Sequence, residues 1–464
     1  MSLFLPADPA TDQEIALVTN MEKEDTYAAI AAALEAQRQW KKIAPQARSE
    51  LLKKWHAAII ENADDLALIS SAECGKPLPA AKQEVADAAG FIDYSVHEMM
   101  CSSRVVVSPS LPSQKVMVTK EPVGVCGIVT SWNFPLAMIT RKLGLCLAAG
   151  CTAVVKPSAK TPLSALALAK LAEEVGIPAG VVNVVPSSHD KAAEVGEALT
   201  TSSGVRKIVF TGSTQAGKLL MQQSAARAKR ISLELSGNAP FIVFEDADVD
   251  KALDGLMASK FCPSVQTCVC TNRIFIHEDI YDEFATKLVE RVRKLKVGLP
   301  CDAGVQVGPL ISSTAFQRTS DLVDDAVKNG AKVLVGGKPD GHGKNFYEPT
   351  VLVNVGETMH VWSEEIIGPV IPLFEFPSEE EVLGMANEAK ANLAGYFFSR
   401  NLARTWRVAA ALECDAVGVN TSSIPNMQTR FGGVTQSGVD RGGSHLGLEE
   451  FQDTKVVFIG GLEE

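Results

Sequence analysis

Several things are scarce in this chain, and each shortage narrows what it can be. No long apolar run exists: the longest smooth stretch, Leu143 to Val155, covers 13 residues between Lys142 and Lys156. A bilayer span needs about 20. Basic charge is in deficit, with 44 Lys plus Arg against 55 Asp plus Glu and a net charge of -11, which disfavours nucleic acid and anionic membrane as partners. Aromatic residues are 6% and charged residues 21%, beside 46% hydrophobic residues; that is a globular balance and excludes a collagen-like, coiled-coil or wholly disordered chain. The ten cysteines form no evenly spaced framework, so a reducing, cytoplasmic setting is expected. Neither an internal repeat nor a low-complexity linker is present. The stretch Met1 to Pro6 lacks a basic region and the first arginine is Arg38, so neither a signal peptide nor a transit peptide is expected. Asn420-Thr421-Ser422 has the form of a glycosylation sequon and is expected to be incidental.

What is present is 464 residues, enough for about three domains of roughly 150 residues. Residues 24 to 72 read as two helices, with Ala29, Ile30, Ala33 and Leu34 and then Leu51, Leu52, Trp55, Ile59 and Ile60 at helical spacing. From residue 123 short β-branched runs alternate with helical stretches. Strands are predicted at 123–129, 152–155, 181–185, 207–210 and 231–235, with helices at 163–175, 190–199 and 215–228. A second series follows: strands at 241–244, 273–277, 332–335 and 394–398, and helices at 247–261, 281–296, 315–328 and 379–389. Such alternation argues for parallel sheets with crossover helices. Val105 to Val118 reads as an edge ribbon, with Lys455 to Ile459 as its partner. The expectation is two α/β domains with a small β appendage.

Four motifs could carry chemistry. Phe210 to Lys218 follows a strand and opens a helix; Gly212 and Gly217 allow close backbone approach and the helix start suits a phosphate. Gly212 to Lys218 also has P-loop spacing, but Leu219 stands where magnesium needs a hydroxyl. Asn133, after the strand 123–129, is either an oxyanion donor or a turn residue beside Pro135. Cys268 is a nucleophile, half of a redox pair with Cys270, or an inert buried thiol; no second Cys pair or nearby His completes a zinc set, so no metal is expected. Glu234, at a strand end, is a general base or a surface acid.

Taken in order, these motifs and their neighbours resemble the aldehyde dehydrogenase superfamily over nearly the whole chain. The matching residues are Ser131-Trp132-Asn133-Phe134-Pro135, Val155-Lys156-Pro157, Phe210 to Thr214, Glu234-Leu235, Gln266-Thr267-Cys268, Glu364 to Pro369 and Phe431-Gly432-Gly433. Ala137 to Lys142, Thr161 to Ala169 and Cys268 to Arg273 are most similar to the succinate-semialdehyde dehydrogenase branch. The resemblance implies an aldehyde dehydrogenase-like α/β fold. A Rossmann-type cofactor domain would cover residues 1–103 and 123–236, an α/β catalytic domain 237–430, and a β oligomerisation ribbon 104–122 and 440–464. A homodimer or homotetramer is implied.

It also implies roles. Cys268 attacks the aldehyde, the Asn133 amide and the Cys268 backbone N–H hold the oxyanion, and Glu234 activates the water that hydrolyses the thioester. Lys156 bonds the adenosine ribose, Gly212 and Ser213 meet the pyrophosphate, and Glu365 the nicotinamide ribose. Ser131, Trp132, Leu235 and Ile367 line the cofactor pocket. At Ala159, with Ser158 before it and Lys160 after it, no carboxylate repels a 2′-phosphate, so NADP is expected alongside NAD and slightly favoured. Arg141 matches a carboxylate-binding arginine, which fits an acid semialdehyde. A second such arginine is replaced by Cys262, and a supporting serine falls near Pro425. Pro263, Val265 and Ser236 also depart from the family pattern. An inactive binding or assembly protein, and a dehydrogenase of aldehydes lacking a carboxylate, are therefore the alternatives. Cys270 is implied to form a reversible disulfide with Cys268.

Overall fold

The computed structural model describes residues 2–101, 105–107, 114–261, 265–389, 391–424, 429, 431–433, 435–439, 441–442 and 444–460. Two large sheets organise the chain. The first runs in the order Gly438–Val439, Arg230–Glu234, Val205–Thr211, Val125–Val129, Thr152–Lys156, Val182–Val184, and only its outer strand Gly438–Val439 is antiparallel. Val125–Val129 and Thr152–Lys156 are apolar on both faces because helices cover both sides, as a parallel sheet requires. The second sheet has seven strands in the order Lys332–Val335, Thr350–Val353, Val370–Phe376, Thr271–His277, Ala239–Val243, Ala394–Phe398, Ala416–Val419. Its core is aromatic, with Phe241, Phe275, Phe374, Phe397 and Phe398 fully or almost fully buried.

The ribbon forms as its alternation suggests. Lys115–Pro122 pairs antiparallel with Gln452–Ile459 on one side and with Val105–Val107 on the other. It leaves Met117, Val456, Phe458 and Ile459 exposed.

Some elements differ from the expectation. Residues 23–74 hold three helices, Lys23–Trp40, Pro45–Glu61 and Ala63–Cys74. The second break falls at Asn62, whose side-chain amide donates to Ala58 O at 2.8 Å; neither Gly nor Pro marks it in the sequence. The helix Leu78–Cys101 was not anticipated, nor were Leu402–Ala411 and the strands Thr350–Val353, Val370–Phe376 and Ala416–Val419. Thr350–Val353 and most of Val370–Phe376 are buried on both faces, so they lack the alternation that betrays a strand. The apolar run 143–155 is split by a left-handed turn at Gly150 (φ 90°) into the end of the helix Ala137–Ala148 and the strand Thr152–Lys156. Among the described residues no helix is long and apolar enough to cross a membrane. Asn420 bonds Ser399 through both ends of its amide, so the sequon's acceptor nitrogen is already engaged.

Candidate active site

Register brings the first set of site residues together. Val129 lies opposite both Phe210 and Lys156, and Thr211 opposite Glu234, in adjacent parallel strands. The loops carrying Ser131 to Asn133, Lys156 to Ala159, Gly212 and Ser213, and Glu234 and Leu235 therefore leave the same carboxyl edge of the sheet, the edge where α/β folds bind ligands. Ser213 caps the helix Thr214–Ala225, its hydroxyl accepting from Ala216 N at 3.3 Å. A Cβ on Gly212 would lie 2.5 Å from the Phe210 ring, and one on Gly217 would lie 2.4 Å from Leu235 Cδ2. A side chain at either position would force its neighbour to shift. Lys218 is turned to Gln436 (2.8 Å) and Leu219 is exposed, which removes the P-loop reading.

Cys268 arrives from the second sheet, in the turn between the helix Val249–Phe261 and the strand Thr271–His277. Contacts near Cys268 hold this turn in place. The Asn133 side-chain amide donates to Gln266 O at 2.9 Å, and a Cβ on Gly237 would stand 3.3 Å from Cys268 O. Asn133 is itself held. Ser131 Oγ donates to its Oδ1 at 2.8 Å and Lys76 Nζ to its backbone carbonyl at 2.8 Å. Lys76 also pairs with buried Glu84, whose carboxylate accepts from Leu136 N and Ala137 N at the start of the helix Ala137–Ala148.

Glu234 is buried and carries the strongest interactions of the site. Lys142 Nζ lies 2.7 Å from one carboxylate oxygen, Arg141 Nη2 3.1 Å from the other, and Thr211 Oγ1 donates at 2.8 Å. Burial alone would raise its pKa; the two cations and the hydrogen bonds from Lys142 and Thr211 outweigh it and hold the carboxyl at about 2. The Cys268 thiol is pushed the other way, up to about 12, by burial and by the charges of Glu234 and Glu365, against a smaller pull from Arg141. Cys268 thus rests as a thiol. Glu365 is raised by burial and eased by hydrogen bonds from the Ser236 hydroxyl and Gly237 N–H.

Lys156 is buried, its pKa lowered to about 8 by that burial, and its ammonium donates to Pro157 O at 3.1 Å. Among the described residues it makes no ion pair. Ser158 accepts from Lys160 N, and Lys160 is exposed beside half-buried Ala159. Trp132 and Ile367 are half-buried, whereas Leu235 is packed under the loop with Phe210 and Leu220. Cys270 is buried, and Lys260 beside it is buried too. Cys262, Pro263 and Pro425 lie outside the described residues. One group of three cysteines, Cys126, Cys146 and Cys151, brings its sulfurs within 4.8 Å of one another; Cys126 sits near the start of the strand Val125–Val129, the end opposite Ser131.

The chain as a whole has known relatives. The aldehyde dehydrogenase family profile matches residues 4–457. The chain belongs to the aldehyde dehydrogenase family. It is 47% identical over 455 residues to a mitochondrial succinate-semialdehyde dehydrogenase of Oryza sativa subsp. japonica, covering 98% of this chain and 86% of that protein. It is also 47% identical to succinate-semialdehyde dehydrogenase [NADP(+)] 1 of Schizosaccharomyces pombe, covering 98% and 91%. The crystal structure of succinate-semialdehyde dehydrogenase from Burkholderia pseudomallei superposes with a TM-score of 0.97 at 46% identity, over 99% of this chain and 95% of that one.

Sequence reasoning missed four residues of this candidate site: Lys142, Thr211, Lys76 and Glu84. For Lys142 a signal existed. It is a charge inside an otherwise apolar helical stretch with no acid nearby in sequence. Arg141, read as a substrate-binding cation, is engaged with Glu234 in this structure.

Proposed function

We propose that the chain is an NAD(P)-dependent aldehyde dehydrogenase whose substrate is an acid semialdehyde, succinic semialdehyde being the favoured one. The observation that carries this reading is the convergence of Cys268, Asn133 and Glu234 with buried Arg141 beside them, a cation able to grip a carboxylate with two bonds. The names of the rice and S. pombe relatives agree with that substrate.

In this reading the Cys268 thiol gives up its proton to solvent, and the sulfur adds to the aldehyde carbon as the carbonyl π electrons move onto oxygen. The Asn133 amide leaves Gln266 O and, with the Cys268 N–H, faces the oxyanion. One such donor contributes about 3–4 kcal/mol. A dinucleotide bound here would supply hydride-accepting chemistry. Cys268 is left as a thioester, and Glu234 takes a proton from the attacking water while Thr211 and Lys142 hold its carboxylate in place. Lys156, whose buried ammonium has no anionic partner among the described residues, with Gly212 and Ser213 at a capped helix start, would hold the dinucleotide. Ala159 and Lys160 leave room and charge for a 2′-phosphate, so NADP is preferred over NAD, in line with the name of the S. pombe relative.

A second reading, oxidation of aldehydes without a carboxylate, is favoured by the pairing of Arg141 with Glu234 and by Cys262 in place of a second arginine. The exposed apolar ribbon residues support a homodimer or homotetramer, and the eight cysteines free among the described residues support a reducing compartment such as the cytoplasm. The test is NADP and NAD reduction with succinic semialdehyde, longer acid semialdehydes and neutral aldehydes of matched length, with Cys268→Ala as control. Turnover that ranks acid semialdehydes first and vanishes in the control is expected. A ranking led by neutral aldehydes overturns the substrate assignment.

A further inference from the structure

The base of this site is poorly matched to its task. A general base works best with a pKa near the working pH. Glu234 is instead clamped by Arg141 at 3.1 Å and Lys142 at 2.7 Å in a buried setting. Arg141 is also the cation assigned to the substrate's carboxylate, so the two roles compete for one guanidinium. Both groups also act electrostatically on the Cys268 sulfur.

We propose that the Arg141–Glu234 ion pair is an interlock: a substrate that brings its own carboxylate takes the Arg141 guanidinium, and Glu234, released from that cation, becomes an effective base for thioester hydrolysis. The proposal rests on the acid-semialdehyde reading and adds coupling to it. Arg141 then acts as a positioning residue for the base as well as a contact for the substrate.

The charges balance. Before binding, Glu234 faces Arg141 and Lys142. Afterwards the substrate carboxylate faces Arg141 and Glu234 keeps Lys142 and the Thr211 hydroxyl, so no buried charge is orphaned. Losing one of two cations makes Glu234 more basic. In the step itself a water proton passes to Glu234. The resulting hydroxide adds to the acyl carbon, the carbon–sulfur bond breaks, and Cys268 leaves with the electron pair. The acid departs, and the proton held by Glu234 returns to the sulfur or to solvent. A neutral acyl group never engages Arg141, so its thioester persists.

The test needs no dinucleotide. Cys268 is acylated with 4-nitrophenyl acetate or mono-4-nitrophenyl succinate; the nitrophenolate burst counts acylated sites and the steady rate reports hydrolysis of the thioester. We expect the succinyl form of the wild-type protein to hydrolyse at least about tenfold faster than the acetyl form, a small part of what general base catalysis supplies. Added propionate should accelerate hydrolysis of the acetyl form with saturation. In Arg141→Met the acetyl form should hydrolyse faster than in wild type, propionate should have no effect, and the acid limb of its pH–rate profile should move to higher pH. Equal succinyl and acetyl rates in the wild-type protein, or propionate without effect there, overturn the interlock, and neither measurement depends on a variant folding. Succinic semialdehyde turnover separates the two ideas. If KM rises in Arg141→Met while the interlock tests fail, the substrate reading stands alone; if KM is unmoved, that reading falls as well.

Discussion

Replacing Glu234 with Gln tests the electrostatics of the site most directly. The glutamine keeps the shape and can still accept from Thr211, but it removes the Glu234 charge that Arg141 and Lys142 pair with here. The carboxyl is held at about 2 against an ordinary 4.5, a gap of about 2.5 units, or about 3 kcal/mol at 1.36 kcal/mol per unit. The sign follows from a depressed pKa. Below about pH 4.5 the unfolded chain binds this proton and the folded one does not. The contribution is therefore complete above that pH and disappears as pH falls toward 2. The lower end of measured costs for breaking one partner of a buried ion pair, about 3–5 kcal/mol, agrees. Denaturant unfolding at pH 7.5 without dinucleotide should place Glu234→Gln about 3 kcal/mol below wild type. Two chemical readouts separate this from general damage. The acyl-enzyme should accumulate in the variant, seen as added mass on Cys268. Cys268 should also alkylate faster at pH 8, because one of the two anions that raise its pKa has gone. A variant within about 1 kcal/mol of wild type, with unchanged alkylation, would refute the electrostatic account of this pair.

Other outcomes follow from the same geometry. In the wild-type protein iodoacetamide at pH 8 should label exposed Cys301 before Cys268, whose thiol is pushed up to about 12, as peptide mass mapping can check. Gly217→Ala should drive a methyl group into Leu235 Cδ2 and cost about 1–3 kcal/mol, with a smaller thermal shift on adding NADP. Lys156→Ala should weaken NADP and NAD alike, whereas Lys160→Glu should weaken NADP selectively; equal loss of both in the latter would remove the 2′-phosphate argument. Burial raises Glu73 to about 7 despite hydrogen bonds from Ser164 and Leu163. Its contribution to stability is full below about pH 4.5 and is lost as pH rises through 7, so Glu73→Gln should flatten the fall in stability between about pH 4.5 and 7. Peroxide should link Cys268 to Cys270 with loss of two protons in that peptide; sulfenic or sulfinic Cys268 alone would rule the bridge out.

Much of this was readable along the chain, for definite reasons. The alternating strands and helices from residue 123 were legible because each strand is short, β-branched and bounded by turn residues. Cys268, Asn133 and Glu234 were legible because each sits in a motif at the end of an element, where local sequence and position agree. The helix break at Asn62 was not, since its cap is a side chain bonding four residues back. Lys142 and Lys156 bounded an apolar run in the sequence as if they were its solvated ends. In the fold both are buried, one against Glu234 and the other beneath the loop beginning at Pro157.

The sequence by itself determined the fold class and the family, and it put forward candidates for the nucleophile and the supports of a dinucleotide, because those depend on local pattern and on residues fixed within motifs. Only the tertiary structure decided what Arg141 and Lys142 do. Their partner lies 93 and 92 positions further along the chain. The ion pairs form because one helix, Ala137–Ala148, packs at the carboxyl edge of a strand, Arg230–Glu234, that periodicity alone does not place beside it. Charge pairing across a buried interface is a property of distance in space, and distance in space is what a single sequence does not carry.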